Sequence, residues 1–454
     1  MKISTFDDDL LELREFADRL ERFIATERDY VEDGLVLALT SKFGSGKTTF
    51  LAMWKASLEG TEDETGRPLL ISLNAWESDY YDAPLFALVS ALVERLKTKG
   101  RSSKADTLKE TAKNVGWSLM AAGNQIARKT TGVDVPAAVG HAARKKAERE
   151  DPIRVHPDAF SLYEHRKAAM QSLREAIREI VADSEHGVWF LVDELDRCRP
   201  DYAIAYLETI KHIFDIKGAV FLLAADRRQL ENSARAAFGP DLDFEEYYRK
   251  FVHREITLPP ISAAGYRNLA LKYVPYYLER EGTRYCRMAL DDHRIKNIVE
   301  LIGALKLTPR QIQEVFRVLG HISATSEENK GRLSWWATAE SVAMAALRIG
   351  APRIFDRLGS GRLEPEEALD FLQGLVGGSR GPSVRWWFTL FFTGGGLRVD
   401  KGESLGKIMQ RVGLIKEASD FSMVELHQWD SSWEDSSNRF GEIQEKIERV
   451  SQWG

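Results

Sequence analysis

At 454 residues and 51.4 kDa, with 44% hydrophobic and 29% charged residues, the chain has the composition of an ordinary soluble globular protein and room for a full enzymatic core plus one or two further domains. A formal net charge of −6 and a pI near 6.0 argue against a broad nucleic-acid footprint, while leaving room for a local basic patch. Two cysteines, Cys198 and Cys286, offer no disulfide framework and no metal-ligand spacing, and no run of about 18 apolar residues exists to span a bilayer. Met1–Asp9 lacks the basic-then-apolar design of a signal peptide. A cytoplasmic location without membrane partners is expected.

Residues 7–30 read as an amphipathic helix, with Leu10, Leu13, Phe16, Ala17, Leu20 and Phe23 on one side. The helix is expected to pack beside the core, and contact with a bound base is the alternative. The chemistry begins with Leu35–Phe50. An apolar strand-like run stops at a turn holding Gly44 and Gly46, and a helix starts after Lys47 and Thr48. This is the layout of a phosphate-binding loop: glycines let backbone N–H groups converge on phosphate oxygens, and the helix N-terminus adds partial positive charge. Lys47 would neutralise the β/γ-phosphates and the Thr48 hydroxyl would ligate Mg²⁺. Phe43, Gly44, Ser45, Gly46, Lys47, Thr48 and Thr49 are the expected nucleotide contacts. Ser41 stands where the pattern G-x-x-x-x-G-K-[ST] wants glycine, so the loop must turn there with a residue that resists positive φ.

Leu69–Leu73 reads as a second buried strand, which puts Asn74, Trp76 and Glu77 at a strand's carboxyl end, where open α/β sheets bind ligands. Trp76 suits a core or lid-anchoring role better than ligand contact. A helical pattern covers Leu85–Leu96. Residues 97–159 turn polar and helical, as an insertion between sheet strands. Its cluster Arg144–Arg149 is interleaved with glutamate and reads as a solvated helix face, with phosphate or anionic lipid as the alternative partner.

The next constellation is Val188–Val192, five apolar residues that deliver Asp193 and Glu194 at a strand end. In a phosphate-loop enzyme Asp193 would hold Mg²⁺, and Glu194 would orient and deprotonate the water that attacks the γ-phosphate. Asp196 and Arg197 fit either supporting partners or a surface ion pair. Ala203–Phe214 reads as a helix and Ala219–Ala224 as a strand. Asp226 follows as either a γ-phosphate sensor or a helix N-cap. A short strand is expected at Glu255–Leu258 and mostly helix over 262–350, where Arg310 sits in the first turn after Pro309 and could reach phosphate from a lid. The aromatic run Trp386–Phe392, with Trp429, Trp433 and Trp453 beyond it, suggests a core or a partner surface.

Phe43–Thr48, Asn74–Trp76, the long insertion, Asp193–Arg197, Ala224–Asp226, Tyr248–Phe251, Leu258–Pro259 and Thr308–Arg310, in this order, make the chain similar to the KAP family of P-loop NTPases over roughly residues 7–320. The resemblance implies an ATP-hydrolysing α/β core with a mostly parallel sheet, a helical insertion and a helical C-terminal region. It implies ATP as substrate and Mg²⁺ as cofactor. Lys47 and Glu194 would be catalytic, Thr48 and Asp193 would hold the metal, and Asp196 and Arg310 are weaker candidates. Relatives include bacterial proteins linked to phage exclusion, and membrane association is the family trait that the soluble insertion does not carry. The expected domains are 1–96 and 160–260 as two parts of the core, 97–159 as the insertion, 261–350 as a lid-like domain and 351–454 as an aromatic-rich region. Expected partners are a second copy of the chain, with Arg197, Arg199, Arg228, Arg249 or Arg254 as a donor to a neighbour's site, and a partner protein. Two alternatives to the hydrolase stand: a nucleotide-gated interaction or scaffold module, and an ATP-dependent nucleic-acid remodeller.

Overall fold

The computed structural model describes residues 3–41, 46–60, 67–115, 159–279, 292–325, 335–378, 381–399, 403–418 and 438–451. The chain divides into two units, Met1–Asp9 with Leu13–Pro259, and Leu10–Glu12 with Pro260–Gly454.

Five strands form the sheet of the first unit: β1 (Leu35–Thr40), β2 (Leu69–Asn74), β3 (Val188–Asp193), β4 (Ala219–Ala225) and β5 (Arg254–Thr257). Their order is β2-β3-β4-β1-β5, and every pairing is parallel. Parallel neighbours need crossovers. These are supplied by α2 (Lys47–Glu59) after β1, by α3 (Ala75–Asp79), α4 (Pro84–Thr98) and α5 (Ala159–Ala182) between β2 and β3, by α6 (Pro200–Ile213), and by α7 (Arg227–Phe238) with α8 (Phe244–Arg249). With helices packed on it, a parallel sheet needs apolar strands rather than alternating ones, and β1 and β4 are buried at every residue. The α/β class expected from the sequence is thus the class observed.

The sheet core is aromatic. Phe190 and Phe221, on adjacent strands, stack with ring centroids 4.3 Å apart, and Phe214 meets both edge-on at 5.4 and 5.7 Å. The N-terminal helix α1 (Arg14–Tyr30) packs on α2: Phe16 meets Phe50 at 5.2 Å and Trp54 donates to Glu21 Oε1 at 2.8 Å. It starts at Arg14 rather than at residue 7 because the Asp9 carboxylate accepts from the Leu13 and Arg14 N–H groups. Gly187 enters β3 at φ +77°, and a Cβ there would collide with the Gly218 carbonyl.

The second unit is helical: α9 (Ala263–Glu279), α10 (Asp292–Ala304), α11 (Pro309–Thr325), α12 (Trp335–Gly350), α13 (Pro352–Gly359), α14 (Pro365–Val376), α15 (Pro382–Thr393), α16 (Leu405–Arg411) and α17 (Arg439–Ser451). The aromatic run Trp386–Phe392 lies within α15, and Trp387, Phe388, Leu390 and Phe391 are fully buried, so these four serve a core. Trp429, Trp433, Trp453 and the basic cluster Arg144–Arg149 lie outside the described residues. Among the described residues no helix is long and apolar enough to cross a membrane.

Candidate functional site

Register gathers the site. Asn74 on β2 pairs with Asp193 on β3, which pairs with Ala224 on β4, which in turn pairs with Leu39 at the end of β1. Residues far apart in sequence therefore share one rim at the carboxyl ends of the strands, beside the start of α2.

That start depends on Gly46. Its φ of 97° and ψ of 15° are left-handed, a conformation open to glycine at little cost, and its carbonyl accepts the Phe50 N–H at 2.8 Å to launch the helix. Ser41 accommodates its departure from glycine simply: the described non-glycine residues with positive φ are Glu12, Asp82, Glu194 and Lys306, and Ser41 is not among them. The Ser41 carbonyl accepts from Lys47 Nζ at 2.7 Å, so the ammonium turns back to the end of β1. Thr48 is exposed and Thr49 half-buried in the first turn. Phe43, Gly44 and Ser45 lie outside the described residues.

The Thr48 hydroxyl approaches the Asp193 carboxylate, so the first turn of α2 comes to the acidic strand end. Asp193 also accepts the Glu194 N–H at 2.9 Å. Burial raises the Asp193 pKa from its ordinary value, against the lowering effect of the Thr48 hydroxyl and the Glu194 N–H and with added repulsion from Glu194 and Asp196. Glu194 turns the chain at φ 60°, a left-handed conformation that costs a non-glycine residue roughly 1–3 kcal/mol. Its carboxylate is held from two sides: Oε2 accepts from Asn74 Nδ2 at 3.0 Å, and Oε1 pairs with Arg197 Nη2 at 2.9 Å. Asn74 can face only one way. Its Oδ1 caps α3 by accepting from the Trp76 and Glu77 N–H groups at 3.0 and 3.4 Å, which leaves the amide NH₂ for Glu194. The Arg197 guanidinium lies 5.7 Å from the Trp76 ring centroid, and that contact draws the half-exposed tryptophan into the site's wall.

The remaining candidates sort by their contacts. Asp196 Oδ2 accepts the Asp226 N–H at 2.9 Å, and Asp226 caps α7 through the Arg228 N–H, so both carboxylates tie down backbone. Arg199 is clamped: its N–H and Nε each donate to the buried Asp79 carboxylate at 3.1 Å, and its Nη2 reaches Asp82 at 3.0 Å. Asp79 was not a sequence candidate, since nothing in local spacing marks a carboxylate whose partner is 120 residues away. Arg254 pairs with Glu27, while Arg228 and Arg249 are exposed. The Cys198 thiol donates to the Glu194 carbonyl, and burial together with the nearby Asp79, Asp196 and Glu194 charges pushes its pKa up to about 12, which leaves it inert. Arg310 belongs to the second unit, in the first turn of α11, where Thr308 and Gln311 form a reciprocal capping box.

A hydroxyl and a carboxylate brought within hydrogen-bonding reach are the hard oxygen donors that Mg²⁺ takes alongside phosphate and water oxygens, so Thr48 and Asp193 fit that ion. Among the described residues, no group of three or more His, Cys, Asp or Glu side chains is arranged to hold a metal without a substrate's help. A family model described as "KAP family P-loop domain" matches residues 14–325, from the first residue of α1 to the last of α11 and more than half of the chain. No match was found among curated proteins.

Proposed function

The chain belongs to the KAP family of P-loop NTPases, and on that footing we propose that it hydrolyses ATP with Mg²⁺ at the rim where α2, β2 and β3 meet. The observation that carries the reading is the approach of the Thr48 hydroxyl to the Asp193 carboxylate, because it brings the first turn of α2 to an acidic strand end that only the fold places near it. Lys47 and the N–H groups at the start of α2 would hold the β/γ-phosphates, and Phe43, Gly44, Ser45, Gly46 and Thr49 would shape the cradle. Mg²⁺, held by Thr48 and Asp193, would supply charge neutralisation to the phosphate oxygens. Glu194 would accept a proton from the attacking water at its carboxylate.

Hydrolysis is proposed to drive conformational change in a homo-oligomer, where the exposed Arg228 or Arg249 of one copy could serve its neighbour. Light scattering with ATP that finds only a single copy would contradict the assembly. One observation favours a second reading, a nucleotide-gated module with little turnover: Asn74 and Arg197 already occupy both oxygens of the Glu194 carboxylate. Steady-state phosphate release by the purified chain separates the two. Multiple turnovers per site that vanish in Lys47→Ala, together with ATP binding, support the hydrolase. Binding with no more than one turnover supports the module.

A further inference from the structure

The opposite ends of β2 and β3 border a second concavity. A cavity of about 570 Å³ opens between the last turn of α2, the end of α4 and the entries to the two strands, within the size range of small-molecule sites. Four cations line it, Arg67, Arg95, Lys99 and Arg101, with His186 beside them. The charge is arranged in depth. Arg67, Arg95 and His186 are half-buried, whereas Lys99, Arg101 and the three lining carboxylates, Glu59, Asp183 and Glu185, are exposed.

Arg67 and Arg101 are not paired with any of the three lining carboxylates. Asp183 pairs with Lys104, which lies outside the lining. Arg95 Nη2 meets Glu59 at 2.7 Å, but its Nε–H, shielded from solvent, has no hydrogen-bond partner. Arg67 Nη1 donates to the carbonyls of Ser57 and Leu58 at the end of α2, and Arg101 Nη1 donates to the Ser184 hydroxyl at 3.3 Å, so both guanidiniums meet neutral oxygens. Arg67 is half-buried and its described contacts are to carbonyls, and a half-buried guanidinium is unfavourable unless an anion shares its charge. Guanidinium forks match phosphate oxygens in pairs. The described lining holds no Phe, Tyr or Trp, and His186 is its one aromatic ring.

We propose that this cavity binds a compact phosphorylated anion, of the size of pyrophosphate, with Arg67, Arg95 and Arg101 donating to its phosphate oxygens. The site stands independently of the nucleotide reading, although both are built on α2, β2 and β3.

The test titrates pyrophosphate into the full-length Lys47→Ala protein by calorimetry, so that the phosphate loop does not contribute. One site is expected, with Kd raised at least tenfold by adding Arg101→Gln or Arg95→Gln. Loss of all pyrophosphate binding in Lys47→Ala alone, or a Kd changed less than twofold by both added substitutions, would overturn the proposal. Hydrogen exchange on Lys47→Ala without further substitution guards against misfolded variants. Pyrophosphate should protect residues 95–101 and 183–187, and unchanged exchange there counts against the site. ADP in the same protein identifies the source of the phosphate: weaker binding than pyrophosphate marks a free polyanion and tighter binding marks a nucleotide's tail, and either order supports the site.

Discussion

Glu340 should make the helical unit less stable as pH rises, and its removal should reverse the effect. The side chain lies on α12 with 1% of its surface exposed, and its Oε2 has no hydrogen-bond partner. Burial lifts its pKa from 4.5 to about 7, opposed only by the positive charge of Arg439. The folded state therefore favours the neutral acid. Its stabilising contribution is complete below pH 4.5, fades as pH climbs through 7, and becomes a buried-charge cost above that. The gap of about 2.5 pH units, at about 1.36 kcal/mol each, sets that cost at about 3 kcal/mol. Glu340→Gln keeps the shape and cannot ionise. Urea unfolding followed by tryptophan fluorescence should show the variant more stable than the parent by about 2–3 kcal/mol near pH 8.5, with little difference near pH 5. An equal gain at both pH values, or none at the higher, would refute the reasoning, since either means that the folded chain does not hold Glu340 protonated.

Asp79→Asn should lower stability by about 1–3 kcal/mol in thermal unfolding, because it weakens the acceptor on which the Arg199 N–H and Nε converge. Gly187→Ala should cost more than the roughly 1–2 kcal/mol of a left-handed alanine, as its Cβ also meets the Gly218 carbonyl; a change within about 0.5 kcal/mol would show that the strand entry tolerates a side chain. Thr48→Val removes the hydroxyl that approaches Asp193 and should weaken affinity for MgATP while leaving metal-free ATP binding near the parent level. Equal losses in both titrations would argue that Thr48 acts on loop shape instead.

Much of the sheet is legible in the sequence because parallel strands are buried on both faces: the runs in β1, β3 and β4 are apolar throughout and stop at turn or acidic residues. Gly46 is legible for a related reason, since a left-handed residue before a helix favours one amino acid. Contacts across the sheet are not. β4 lies between β1 and β3, and β2 beside β3, an order that no local pattern encodes, so the bond from Asn74 to Glu194 emerges only from register. The same holds for the clamp of Asp79 on Arg199 and for the arginine-lined cavity, whose cations come from segments that meet only in space. The helix α15 shows the converse limit. Apolar residues on all its faces signal burial but not against what, and the open choice between core and partner surface closes only once Trp387 and Phe391 are seen inside the second unit.

The central claim, hydrolysis of ATP across a divided site, is tested most directly by steady-state phosphate release from the purified chain and its Glu194→Gln variant, with ATP affinity measured in parallel. The account predicts sustained turnover in the parent and a loss of about 10²- to 10⁴-fold in the variant at unchanged affinity. Equal turnover by the two proteins would remove Glu194 from its role and contradict the site as described.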